Sequence, residues 1–180
     1  MQFVAFNDLS PALRQAAWQL YETSFPDYER RSRPAQQAAL GDSLAHGDLL
    51  IDEEGRLAAL CFYWTRADLL YVEFLAVDPA IRGRQLGSRI VNDLLARYPG
   101  YTVVLEIEPP EDELTCRRLR FYERLGFRAN DFPYTHPSYR TGAAAHPHRL
   151  VVMSHGDVLT PDRRKEFLAL MRDVVLRYAD

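Results

Sequence analysis

One carboxylate interrupts the densest apolar stretch of the chain, LLYVEFLAV at residues 69–77. Glu73 is partly dehydrated there, and dehydration raises a carboxyl pKa toward the working range of a general base. The plainer reading is a strand residue that faces solvent or pairs with an arginine. Two more carboxylates, Glu106 and Glu108, stand two apart in VVLEIEPP and share one face of a strand. If this strand neighbours the first, Glu106 enters the same cleft as Glu73, as the alternative base or as the binder of a cationic substrate. Glu108, at the strand end, reads as solvated. Directly after Val77 comes DPAIRGRQLGSRI, in which Arg82 and Arg84 flank Gly83 and Gly87 lies further on. A strand-to-helix turn of this composition suits an anion. The helix N-terminus offers unpaired N–H groups and partial positive charge. Glycine admits close backbone approach, and arginine adds charge-assisted hydrogen bonds. The segment lacks the Gly-Lys-Ser/Thr of a phosphate loop and the Gly-x-Gly-x-x-Gly of a dinucleotide turn. It reads either as a pyrophosphate cradle or as a loop with solvated arginines.

These groups need a scaffold, and the sequence outlines one. MQFVAF reads as a strand, and Ser10-Pro11 as a helix start. SFPDYERRSRP breaks that helix, and a short helix, AQQAALGD, follows. GDLLIDEEGRLAALCFYW is a hairpin that turns at DEEG. Leu86, Ile90, Val91, Leu94 and Leu95 mark one face of a helix after the glycine-arginine turn. YTVVLEIE is a strand, and PPEDELTCRRLRFYERLG a helix stopped by glycine. FRANDFPY and HRLVVMSH read as strands with a loop, HPSYRTGAAAHPH, between them. A last helix opens at Thr160-Pro161. The order β-α-α-β-β-β-α-β-α-β-β-α, without a long linker, describes a single domain over residues 1–180. Strand-helix-strand units from Leu69 onward imply parallel pairs, and the hairpins imply antiparallel ones. The expected fold class is α/β, an α+β mixed sheet with helices on both faces.

The segment VDPAIRGRQLGSRI resembles the Arg/Gln-x-x-Gly-x-Gly/Ala signature of the GCN5-related N-acetyltransferases, with Arg82 at its first position and Gly87 at its last. Gln85 stands where the family has its middle glycine; a negative φ, as in a first helical turn, would accommodate it. TCRRLRFYERLGF is similar to the family's later helix, with Tyr122 on its tyrosine and Leu125, Gly126 and Phe127 on its ending. Thr115 stands where members often carry a cofactor-touching Asn. The resemblance implies a strongly twisted acyl-CoA N-acyltransferase sheet. It also implies that N–H groups of Arg82, Gly83, Arg84, Gln85, Leu86, Gly87 and Ser88 wrap the pyrophosphate of acetyl-CoA. Leu75, Ala76 and Val77 would then bond its pantetheine arm, with Thr115 and Tyr122 alongside. Tyr122 is implied as the acid for the departing thiolate, and a Glu near position 73 as the base. A backbone N–H near Leu75 or Val77 would stabilise the developing oxyanion. Two alternatives stand beside the acetyltransferase: a non-catalytic acyl-CoA-binding module, and a transferase of longer acyl groups.

Two loops read as substrate-facing. SFPDYERRSRP offers Phe25, Tyr28, Glu29 and Arg30; FPYTHPSYRTG adds Tyr134 and Tyr139. Arg30, Arg31, Arg33 and Arg140 suit an acceptor carboxylate or simply offset nearby acids. The acceptor class stays open, a small-molecule or peptide amine. Cys116, on a helix with no histidine nearby in sequence, reads as packing rather than as a nucleophile. His146 and His148 lack an acidic partner in sequence, so no metal is expected. A net charge of −3 argues against a nucleic-acid partner. The absence of long apolar runs and of a secretory leader points away from the membrane and to the cytoplasm. Two cysteines make no disulfide framework. The broad apolar face of the last helix is compatible with a monomer or a homodimer.

Overall fold

The computed structural model describes residues 1–81 and 85–180, with Ala143 by its backbone alone. Its elements are β1 (Gln2–Ala5), α1 (Pro11–Ser24), α2 (Arg33–Ala39), β2 (Ala45–Ile51), β3 (Leu57–Arg66), β4 (Leu69–Val77), α3 (Leu86–Arg97), β5 (Thr102–Ile107), α4 (Glu113–Arg124), β6 (Phe127–Ala129), β7 (Thr135–His136), β8 (His148–Arg149), β9 (Val151–His155) and α5 (Pro161–Asp173). The helix starts follow the sequence signals. Ser10 accepts from the Leu13 amide and Thr160 from the Arg163 amide, each just before a proline. Ser32 caps α2 the same way, so that helix begins earlier than its alanines suggest. Among the described residues no helix is long and apolar enough to cross a membrane.

Seven strands form one mixed sheet in the order β1-β2-β3-β4-β5-β9-β6, and β7-β8 is a separate two-stranded ladder. Only β4 and β5 run parallel, which is less than the strand-helix-strand pattern suggested. The reason is that β9 inserts between β5 and β6 and pairs antiparallel with both. HRLVVMSH is also not one strand. At Leu150 the amide donates to the Tyr134 carbonyl, which divides β8 from β9. FRANDFPY pairs only through Ala129. Asn130 then turns inward, donating to the Val152 carbonyl and the Ser154 hydroxyl and accepting from the Leu159 amide.

Each sheet face buries its own core. Trp18 and Tyr21 of α1 and Phe167 and Leu170 of α5 pack with Phe62, Trp64, Tyr71 and Phe74. Leu86, Ile90 and Leu94 of α3, with Leu119 of α4, pack against Cys61, Tyr63, Val72 and Leu105. Strand β4 serves both cores, and two irregularities in it build the site. The β3–β4 register jumps from Phe62↔Phe74 to Tyr63↔Val72, which leaves Glu73 as an extra, unpaired residue. This bulge places Tyr71 and Phe74 in the same core although they are three residues apart. The second irregularity is a splay. Strands β4 and β5 pair only from Leu69↔Thr102 to Val72↔Leu105. Beyond that, β4 follows β3 to Val77 while β5 follows β9 to Ile107. A wedge opens between them, and its two edges have no ladder partner.

Candidate functional site

A cavity of about 560 Å³ fills the wedge. Its wall brings together most of the residues singled out in the sequence: Glu73, Glu106 and Tyr122; Leu75, Ala76, Val77 and Thr115; and Phe25, Tyr28, Glu29 and Tyr139. Residues from both substrate loops therefore meet strands and helix α4 at one place. Arg30 and Tyr134 are not in this wall. The Arg30 guanidinium donates to the Phe25 carbonyl and pairs with Asp27 at 3.2 Å, so it shapes its own loop. Tyr134 is buried in the core behind Glu106.

Glu73 is not a free base. Its Oε1 accepts from Arg31 Nη1 and from the Tyr139 hydroxyl, both at 2.8 Å. Its Oε2 accepts from Trp64 Nε1 at 2.9 Å. The carboxylate is 1 % exposed and Arg31 is 0 % exposed. Three donors engage this carboxylate, two of them at Oε1, which favours the plainer reading of Glu73 as one half of an internal ion pair with an arginine. Arg31 also reaches Gln36 Oε1 at 2.8 Å and the Val175 carbonyl at 2.7 Å, and its guanidinium lies 4.4 Å from the Tyr139 ring centre. It thus ties together the loop before α2, strand β4 and the segment after α5.

Glu106 is the opposite case. Its side chain is 5 % exposed. The Tyr71 hydroxyl donates to Oε2 at 3.0 Å, and Oε1 has no partner among the described residues. Burial pushes the carboxyl up to about 7, against a weaker pull downward from the Tyr134 and Tyr71 hydroxyls. The Tyr134 hydroxyl faces Glu106 without the alignment of a hydrogen bond. His136 Nε2 stands 3.7 Å from Glu106 Oε2 and 3.2 Å from the Tyr139 hydroxyl. Burial, aided by His148, holds this imidazole down at about 3, so it is neutral and adds no charge beside Glu106. The β7–β8 ladder sets His136 opposite His148. Glu108, read as solvated, pairs with Arg118 of α4 at the edge of the cavity.

Tyr122 projects from α4 toward the same space and packs against Phe127. Burial pushes its phenol up to about 12, so it keeps its proton at neutral pH. Thr115 lines the cavity, but its hydroxyl is committed to the helix start. It accepts from the amides of Glu111 and Asp112 and donates to Asp112 Oδ1, while Asp112 caps the Thr115 amide. Thr115 thus lines the cavity where the cofactor contact is expected, with its hydroxyl already engaged at the helix start. Cys116 Sγ lies 3.4 Å from the Pro110 carbonyl, in keeping with a packing role.

Arg82, Gly83 and Arg84 lie outside the described residues. Gln85 caps α3 with φ 56° and ψ 25°, so the expected negative φ is corrected to the left-handed region. Such a conformation strains a non-glycine residue, which explains why glycine suits this place. Gln85→Gly is expected to stabilise the fold by about 1 kcal/mol, read as a rise in urea midpoint at unchanged slope. Leu86 is buried in the core, and Ser88 follows in the first turn of α3. A Cβ on Gly87 would lie 3.2 Å from Phe121 Cζ, so Gly87 also lets α3 approach α4.

Sequence reasoning passed over Arg31 as an internal partner and missed Trp64 and Tyr71, whereas His136, read as part of the late substrate-facing loop, does line the cavity. Arg31 carries no distinguishing signal within ERRSRP. Trp64 and Tyr71 are cross-strand partners whose pairing shows only once the hairpin register is known.

The fold agrees with comparisons to known proteins. Residues 11–127 match the model of the acetyltransferase (GNAT) family. The Bacillus subtilis protein named "Putative acetyltransferase YjbC" is 30% identical over 106 residues, covering 58% of this chain and 52% of that protein. The chain thus spans about half the length of that curated relative. A GNAT-family structure from Bacteroides thetaiotaomicron superimposes with a TM-score of 0.82 at 24% identity, covering 98% of each chain. An aminoglycoside 6'-N-acetyltransferase complexed with coenzyme A superimposes with a TM-score of 0.63 at 17% identity, covering 90% of this chain and 100% of that one. At these identities the structural likenesses speak for the fold, and the family match extends over more than half the sequence. The chain belongs to the acetyltransferase (GNAT) family.

Proposed function

We propose that the protein transfers the acetyl group of acetyl-CoA directly to a primary amine, with Glu106 as the base and Tyr122 as the acid. The observation that carries this reading is Glu106 itself. It is a buried carboxyl poised near 7 with one unbonded oxygen, in the wall of a wedge between splayed parallel strands. The wedge suits the donor substrate. From Glu73 to Val77 the edge of β4 that faces away from β3 is an unpaired row of amides and carbonyls, which matches an extended arm carrying amides of its own. The N-terminus of α3, from Gln85 to Ser88, together with Arg82, Gly83 and Arg84, would receive the pyrophosphate.

The reaction then balances as follows. The acceptor ammonium gives a proton to Glu106, and the neutral nitrogen attacks the acetyl carbonyl carbon. An N–H of the free β4 edge near Leu75 or Val77 receives the developing oxyanion. The carbon–sulfur bond breaks, the Tyr122 phenol supplies the proton that the thiolate takes, and the second proton leaving the nitrogen restores the phenol, while Glu106 returns its proton to solvent. Glu73, bonded to Arg31, Trp64 and Tyr139, fixes with Arg31 the bulge that aims the β4 edge. Tyr122→Phe is expected to lower kcat about 10²-fold with donor affinity kept. Thiol release and calorimetry with coenzyme A measure the two separately. If kcat is unchanged, Tyr122 is not the acid.

A further inference from the structure

Two acids, Glu29 and Glu106, and two histidines, His136 and His148, line one wall of the cavity with aromatic side chains. The arginines around it are already paired: Arg31 with Glu73 at 2.8 Å, Arg33 with Glu22 at 2.7 Å, Arg30 with Asp27 at 3.2 Å, and Arg140 with Asp27 at 2.8 Å and Asp180 at 3.1 Å. Arg118 is held by Glu108. The acids are not all paired. Glu106 Oε1 is buried without a partner, and Glu29, in the same wall, has no ion-pair partner among the described residues. Between them the wall is aromatic. Phe25 and Tyr139 flank the interior, while Tyr28 is 43 % exposed at the open end, its ring 4.5 Å from that of His146.

Among the described residues the wall holds no unpaired arginine or lysine for a carboxylate on the acceptor, which would face two acids. A second ammonium would find Glu29 and the Tyr28 ring, where charge attraction and cation–π contact act together. We propose that the acceptor is a dicationic alkyl amine. Its reacting ammonium gives its proton to Glu106, and its second ammonium rests against Glu29 and Tyr28. This assignment rests on the role of Glu106 given above.

The test uses the whole protein, acetyl-CoA and three matched series: α,ω-diamines of four to eight carbons, and the monoamines and ω-amino acids of the same lengths. Thiol release gives kcat/KM, and calorimetry in the presence of coenzyme A gives amine affinity. At the best length the diamine is expected to exceed the monoamine about tenfold and the amino acid about a hundredfold in kcat/KM. Glu29→Gln is expected to bring the diamine-to-monoamine ratio to within about twofold of one. If no amine releases thiol but diamines still bind best, the transfer reading and the diamine's role as acceptor fall, and the dicationic binding site alone stands. If amines are turned over without a diamine preference, or Glu29→Gln leaves that preference intact, the assignment is overturned while the transfer reading stands. Absence of a diamine preference in both measurements also overturns it.

Discussion

Glu106→Gln lowers kcat/KM about 10³-fold and at the same time stabilises the protein at pH 8. The rate loss is that of removing a general base. The stability gain follows from the direction of the pKa shift. Burial raises the folded-state value from 4.5 to about 7, so the folded protein binds a proton more tightly there than the unfolded chain. That contribution is fully present below pH 4.5 and is lost as pH rises to about 7, a total of about 3 kcal/mol. At pH 8 the wild type carries a buried anion with an unbonded oxygen, and the glutamine variant does not. Glutamine also keeps an acceptor for the Tyr71 hydroxyl. Urea unfolding at pH 8 and pH 5 checks this: the advantage of the variant should be large at the higher pH and small at the lower. Equal stability at both would mean that Glu106 is not strained by ionising in place.

Arg31→Met destabilises the fold by about 3–5 kcal/mol, the loss expected when one member of a buried ion pair is removed. The methionine fills much of the volume, so the loss comes chiefly from charge. Glu73 is left buried with only Trp64 and Tyr139 as donors, the Val175 carbonyl loses the Arg31 donor, and Gln36 Oε1 keeps only the Tyr21 hydroxyl. Adding Glu73→Gln removes the uncompensated anion and should recover part of the stability, a pattern that a double-variant cycle in urea reveals. A cost below about 1 kcal/mol for the single variant would show that the pair is not the clamp described. Because Glu73 sits on the bulge, the same variant should weaken donor binding, whereas the double variant should regain stability sooner than affinity.

The sequence showed this architecture more readily than its chemistry. Element order was legible because it is written locally: Ser10-Pro11 and Thr160-Pro161 start helices, Leu86 to Leu95 follow a helical period, and Asp78-Pro79 stops a strand. The wedge was also legible, because the apolar strand and the strand with Glu106 are joined by one helix and so run parallel. The choice between the two glutamates was not. What commits Glu73 is Arg31, Trp64 and Tyr139, which come from three other parts of the chain. What distinguishes Glu106 is that Tyr71 alone bonds its carboxylate while Oε1 has no partner among the described residues. Gln85 and Thr115 misled for a related reason. Each departs from a motif by residue type, but what it does locally depends on its surroundings: a left-handed backbone cap for Gln85, a hydroxyl in a capping box for Thr115. Position in a motif locates a residue, and only its partners say which of its atoms are free.

The central claim is that Glu106 takes the acceptor's proton. The pH dependence of kcat/KM for acetyl-CoA-dependent acetylation of a primary amine, in wild type and Glu106→Gln, tests it most directly. The wild type is predicted to gain activity as pH rises through about 7, where Glu106 ionises. The variant is predicted to lose that limb and keep only the shallower rise set by the free amine. The same limb at the same pH in the variant would contradict the account.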